Sequence, residues 1–326
     1  AGLFAAVALI ATAFSVGSEI DVIGDVARLQ SSGLLSVIAG GMLAGVLAVL
    51  LQRLATAALG VVTRGRLQEL TDVDHPLLRK MARKAPGSWQ HARAMANLAE
   101  GAAAAIGADS LLTRVGAYYH DLGKTIQPKY YVENLTAGEP SPHADLEPDV
   151  SADAIMAHVV EGVRILRDGG VPEPVVEFAY THHGTSVIEY FWHKCLESGN
   201  PKGLSDAAFR YPGMRPRTKE TAILMLVDAI EAAARSVDEP SREKFEGVVQ
   251  RVTNVKLRQG QLDESGMTLE DLRVIQSTLT DTLCNAYHNR IKYPWQDKED
   301  EGEAQLPVPG VATEQDVARE RSRETN

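Results

Sequence analysis

Asp228 lies in the run ILMLVDAIEAA, residues 223 to 233, and no other feature of the sequence limits the fold as strongly. A helix carrying that run is apolar around most of its circumference, so it belongs in a protein interior. There an ionised carboxylate requires a cation or hydrogen-bond donors to offset its lost hydration. Five histidines and a second aspartate fall at or beside the ends of predicted helices: His91, His120-Asp121, His158 and His182-His183. Imidazole and carboxylate are usual ligands of iron, manganese and zinc, and one carboxylate can bridge two ions about 3.5–4 Å apart. Asp121 is the natural bridge. A lone helical histidine is more often a satisfied core or surface group. Here the joint order outweighs that reading, because His-Asp-Leu-Gly-Lys at 120 to 124 follows a histidine 29 residues earlier and precedes three more. Consecutive helical side chains diverge by about 100°, so adjacent ligands need a helix end. Gly123 and Gly184 supply such ends.

The rest of the pattern is helical. Helices are predicted over residues 88 to 107 with Ser88 as N-cap, from 111 to about 123, and over 151 to 169 with Ser151 as N-cap. Others are predicted over 172 to 183, 218 to 236, 241 to 258 and 269 to 290. Strict two-residue alternation is nearly absent, so the domain reads as all-α. Residues 127 to 148, rich in Pro, Gly and Asn, form a long loop bordering the candidate centre and suggest a lid.

Two uncharged stretches open the chain, residues 1 to 18 and the 24 residues from 29 to 52. At 1.5 Å per residue the second is long enough for a bilayer core of about 30 Å, so two transmembrane helices are expected. Acids dominate the segment between them, whereas Arg53, Arg64 and Arg66 follow the second, which places the remainder in the cytoplasm at the inner membrane. The chain begins with Ala inside an apolar run, the expected appearance of the C-terminal part of a longer membrane bundle. The expected organisation is then two transmembrane helices in 1–62, a linker helix in 63–84, a cytoplasmic catalytic domain in 85–296 and a disordered tail in 297–326. A net charge of −10 argues against a surface for nucleic-acid polymers. Cys195 and Cys284 have no Cys-x-x-Cys spacing and indicate a reducing compartment.

The order His91, His120-Asp121, His158, His182-His183, Asp228 resembles that of the HD superfamily of metal-dependent phosphohydrolases. From about residue 70 to 295, stretches such as HPLLRKMARKAPGSWQH, RVGAYYHDLGK, PKYYVENL, THHGTS, FRYPGMRPRTKETAILMLVDAIEAA and RIKYP are similar to the cytoplasmic HD domain of the seven-transmembrane, PgpH-type cyclic di-AMP phosphodiesterases. That resemblance implies an HD helical bundle holding two divalent ions, iron or manganese. One would be bound by His91, His120, Asp121 and Asp228, the other by Asp121, His158, His182 and His183. It also implies hydrolysis of a cyclic dinucleotide, cyclic di-AMP to pApA, by a hydroxide bridging the metals. Asp121 and Lys124 are the expected catalytic residues, with Lys124, Arg210 and Tyr211 binding substrate and Tyr118 and Tyr119 as further candidates. His75, His143, His193 and His288 are assigned no ligand role. Ala92 and Ala144 depart from the family pattern without touching a candidate ligand. The expected partners are a cyclic dinucleotide, the lipid bilayer and a second copy of the chain.

Two alternatives stand beside this reading. One is an HD phosphohydrolase for another nucleotide, such as the HD-GYP proteins, which carry His-His-Glu where this chain has His182-His183-Gly184. The other is a membrane receptor or scaffold whose HD domain binds a nucleotide without cleaving it.

Overall fold

The computed structural model of this chain describes residues 22–59 and 62–288. The first uncharged stretch and the tail expected to be disordered lie outside these residues. Helix α1 (Val22–Leu59) runs unbroken for 38 residues. It takes in Asp25 and Arg28, which the sequence reading places between two spans, because a nucleated helix extends at little cost through residues other than Pro. From Ile38 to Leu54 large apolar side chains on it are exposed, Met42 at 70% and Leu54 at 67%. Among the described residues no helix is long and apolar enough to cross a membrane.

The linker helix expected over 63–84 is two short helices, α2 (Arg64–Leu70) and α3 (Pro76–Lys84). The Thr63 hydroxyl caps α2 by accepting from the Arg66 amide, while Pro76 pushes His75 out of the helical region and forces the break. Leu67, Leu70, Leu78 and Met81 are buried, so this segment is part of the core and not a spacer.

Helix α4 (Pro86–Ala105) begins ahead of Ser88, with Pro86 preset for its first turn. Ser88 is therefore no cap. The Asn134 side-chain oxygen accepts from the Gly87 and Ser88 amides at 2.9 and 3.2 Å, so a distant loop satisfies this helix end. Asp109 caps α5 (Ser110–Tyr119), which stops before His120 and gives way to a short 3-10 turn, Leu122–Thr125. The expected lid over 127 to 148 contains three such turns, and Asn134 and Glu133 pin it to the start of α4. Helix α6 (Pro148–Asp168) begins three residues before Ser151, again at a proline, and Ser151 is buried inside it. α7 (Glu173–Thr181) follows, then α8 (Glu189–Glu197), which the sequence reading does not anticipate because only Phe191 and Cys195 on it are buried.

Thr218 and Thr221 form a reciprocal capping box at the start of α9 (Lys219–Ala234). Ser241 caps α10 (Arg242–Arg258), and α11 (Leu269–His288) completes the bundle. α9 runs through the middle, with Ala222, Ile223, Leu224, Leu226 and Val227 fully buried against α4, α5, α7, α10 and α11. Among the described residues the β pairing is confined to an isolated bridge between Val187 and Arg210, so the all-α expectation holds. A smaller apolar cluster of Ala152, Met156, Phe191, Cys195 and Phe209 seats α8 on α6.

Gly116 on α5 lets the Phe178 ring of α7 approach so closely that a Cβ there would lie 2.4 Å from it. Phe178 is fully buried, and Phe178→Ala should lower unfolding stability by about 3–5 kcal/mol, seen as an earlier urea midpoint at unchanged slope.

Candidate metal centre

Five helices deliver the seven predicted residues to one place. α4 carries His91, the end of α5 carries His120 and Asp121, α6 carries His158, the end of α7 carries His182 and His183, and α9 carries Asp228. The His120-Asp121 corner approaches α6 through two glycines. A Cβ on Gly123 would lie 2.0 Å from the His158 carbonyl oxygen, and Gly162 faces the Gly123 amide. His158 Nε2 then sits 3.5 Å and His182 Nε2 3.7 Å from Asp121 Oδ1, while His120 Nε2 is 3.2 Å from Asp121 Oδ2. On the other side His91 Nε2 lies 3.1 Å from Asp228 Oδ1 and His183 Nδ1 3.6 Å from Asp228 Oδ2. Donor atoms of three overlapping sets fall within 4.8 Å of one another: His158, His182 and His183; His91, His120 and Asp228; and His120, Asp121 and His182.

The hydrogen bonds around these rings decide what can sit between them. Nδ1–H donates to a backbone carbonyl in His120 (Ala117, 2.8 Å), His158 (Ile155, 2.6 Å) and His182 (Ala179, 2.9 Å). In the neutral tautomer each Nε2 is therefore a bare lone pair. Those of His158 and His182 face each other at 3.1 Å, and His120 Nε2 and Asp121 Oδ1 are buried with no hydrogen-bond partner. Converging lone pairs beside a carboxylate repel unless a cation lies among them, so these residues fit divalent metal ions.

Protonation agrees with this arrangement. Burial, reinforced by His120 and His158, drops His182 to about 3, and burial also lowers His158 and His183, so these rings are neutral and ready to ligate. Burial favours a neutral Asp121, but His120 and Lys124 outweigh it and hold the carboxyl well below its usual range. Asp228 is likewise ionised, burial being overcome by the His91 hydrogen bond and by His183.

The HD domain family profile matches residues 88–233. Among full-length relatives, the cyclic-di-AMP phosphodiesterase PgpH of Listeria monocytogenes is 42% identical over 255 residues, covering 78% of this chain and 35% of that protein. The cyclic-di-AMP phosphodiesterase PgpH of Bacillus subtilis is 40% identical over 257 residues, covering 79% of this chain and 36% of that protein. The chain thus spans about a third of the length of these relatives. The crystal structure of the L. monocytogenes PgpH HD domain matches with a TM-score of 0.62 at 41% identity, covering 66% of this chain and 100% of that one. The same domain in complex with cyclic-di-AMP matches with a TM-score of 0.63 at 42% identity, covering 67% and 100%. The chain belongs to the PgpH-type HD domain family.

The HD domain also uses residues that the sequence reading passed over. Glu231 Oε2 lies 2.8 Å from His91 Nδ1, and Arg235 Nε donates to Glu231 Oε1 at 2.7 Å. Burial opposes a charge on His91, but hydrogen bonds to Asp228 and Glu231 prevail and raise it to about 9. Asp228, Glu231 and Arg235 recur at intervals of three and four on α9, and that spacing was the legible signal for this pair. Lys124, expected to act in catalysis and on substrate, is engaged by the protein itself. Its Nζ lies 2.8 Å from both Asp121 Oδ2 and Glu133 Oε1, above the Tyr131 ring, so its charge is committed to carboxylates.

Of the substrate candidates, Tyr211 stacks on His183 with ring centroids 4.1 Å apart. Arg210 turns the other way, as adjacent residues of an extended segment do, and pairs with Asp206 and the Thr185 carbonyl. Tyr119 donates to the Leu70 carbonyl and Tyr118 accepts from Arg114, so neither reaches the centre. His75 caps α3, His143 Nε2–H donates to the Tyr130 carbonyl, and His193 is exposed. The His288 side chain lies outside the described residues. Gly184 adopts φ +56°, and a Cβ there would lie 2.2 Å from Gln261 Oε1. A residue with a Cβ here, such as the glutamate of the HD-GYP pattern, would take up a strained left-handed conformation and displace the Gln261 side chain.

If Glu231 orients His91 for a metal, Glu231→Gln should weaken metal affinity about 10- to 100-fold, measured by competition with a chelating dye, while the thermal midpoint of the metal-free protein changes little.

Proposed function

We propose that this HD domain hydrolyses a phosphodiester bond of a cyclic dinucleotide, cyclic di-AMP to pApA, at a dinuclear centre. The observation that carries the reading is the convergence of bare Nε2 atoms from His120, His158 and His182 on Asp121, a donor set that two cations complete. Similarity to two proteins named cyclic-di-AMP phosphodiesterase, and to a domain crystallised with that nucleotide, supports the choice of substrate.

His91, His120, Asp121 and Asp228 would hold one ion, and Asp121, His158, His182 and His183 the other, with iron or manganese suited to this mixed nitrogen and oxygen set. Divalent ions bound there supply Lewis acidity and lower the pKa of water to the neutral range. The protein's part is to hold its donors ready. Backbone carbonyls of three helices set the tautomers of His120, His158 and His182. Lys124 braces Asp121 from behind as a positioning residue, and Tyr211 presents an aromatic face beside His183 on which a base can stack. The domain would sit on the cytoplasmic face of the inner membrane, with the uncharged stretch of residues 29 to 52 leading toward it. The uncharged sequence of that stretch, the exposed apolar side chains of α1 and the arginines that follow support this placement.

The 326-residue chain in detergent, reconstituted with manganese or ferrous iron, should convert cyclic di-AMP to pApA, followed by anion-exchange chromatography. Asp121→Ala should reduce turnover by more than about 100-fold. Binding without cleavage by fully loaded protein would favour the receptor alternative, and cleavage of cyclic di-GMP in preference would reassign the substrate.

A further inference from the structure

The neighbourhood of the centre contains a second lysine, and its situation is the reverse of that of Lys124. Lys256, near the end of α10, is partly buried, and its hydrogen-bond partner among the described residues is the Ser186 hydroxyl at 3.0 Å. Ser186 belongs to the turn that leaves the candidate ligands. Its amide donates to the His183 carbonyl, and its carbonyl accepts from the amide of Tyr211, whose ring stacks on His183. Lys256 is thus joined through Ser186 to the turn that carries His183 and Tyr211. No carboxylate among the described residues pairs with it.

An ammonium partly withdrawn from water, with a neutral hydroxyl as its partner and no carboxylate beside it, keeps its charge uncompensated. Such a cation is suited to an anion that arrives with a ligand. A cyclic dinucleotide carries two phosphates, of which one undergoes hydrolysis while the other also needs a counter-charge. Lys124 is committed to Asp121 and Glu133, whereas Lys256 is available.

We propose that Lys256 is a substrate-binding residue whose ammonium, steered by Ser186, holds the phosphate of the cyclic dinucleotide that is not being hydrolysed. This rests on the dinucleotide reading above. A contact to the phosphate remote from the reaction contributes equally to ground and transition states, so its loss shows in affinity and KM more than in kcat.

The test compares the unsubstituted chain and Lys256→Met, both loaded with manganese and matched for metal content, by calorimetric titration with cyclic di-AMP and by steady-state kinetics. The expected result is a Kd and KM raised about 10- to 100-fold with kcat changed far less, a flatter dependence of affinity on ionic strength, and a thermal midpoint equal to or above that of the unsubstituted chain. A lower midpoint with unchanged Kd would make Lys256 structural and overturn the proposal. A collapse of kcat at constant Kd would also overturn it, by placing the lysine on the reacting phosphate. Unsubstituted chain that binds cyclic di-AMP without cleaving it removes the enzymatic reading only, since the Kd comparison still decides the role of Lys256. Chain that does not bind the nucleotide at all removes both.

Discussion

Lone pairs that converge without a proton between them govern this domain. His120, His158 and His182 each surrender Nδ1–H to a carbonyl of their own helix, so each presents a bare Nε2 toward Asp121. Every ring is thereby locked twice, by rotamer and by tautomer, before any ion arrives. The remaining architecture can be understood as what keeps such mutually repelling atoms within a few ångströms of one another. α9 is held by apolar contacts on nearly all sides and brings Asp228 in with it, and the glycines at 123 and 162 remove the Cβ atoms that would hold the His120-Asp121 corner away from α6.

The placement of the donors at helix ends has a physical reason. A mid-helix pair of adjacent side chains diverges too far to share a pocket, but a chain leaving the helix can turn both inward. His120 and His182 are both the residues at which α5 and α7 stop, and each is followed at once by a second polar donor. The outer ring of residues then tunes the inner one. Glu231 and Arg235 set His91, Lys124 and Glu133 set Asp121, and Tyr211 flanks His183. Carboxylate and cation alternate outward from the centre, which keeps buried charge paired.

Helix starts show where local sequence rules give way. Ser88 and Ser151 look like N-caps, yet a proline two or three residues earlier begins each helix, and both serines end up buried. For α4 the capping acceptor is Asn134, 46 residues away from Ser88, a partner that no local pattern can indicate. By contrast Thr218 and Ser241, at the starts of the ranges predicted for α9 and α10, do cap them, the prolines at 216 and 240 lying outside these helices. α8 escaped notice because a nine-residue helix with two buried residues leaves almost no periodic signal.

The sequence by itself determined the all-α class, the positions at which most helices end, and the identity of the residues that meet at the centre, because these depend on residue type, spacing and the cost of burying Asp228. Only the tertiary structure decided which atoms face which. It turned Tyr211 in and Arg210 out, spent Lys124 on Asp121 and Glu133, and left Lys256 with a hydroxyl. Partners in each of these cases come from distant parts of the chain, and the orientation of a side chain is set by the packing that brings them together.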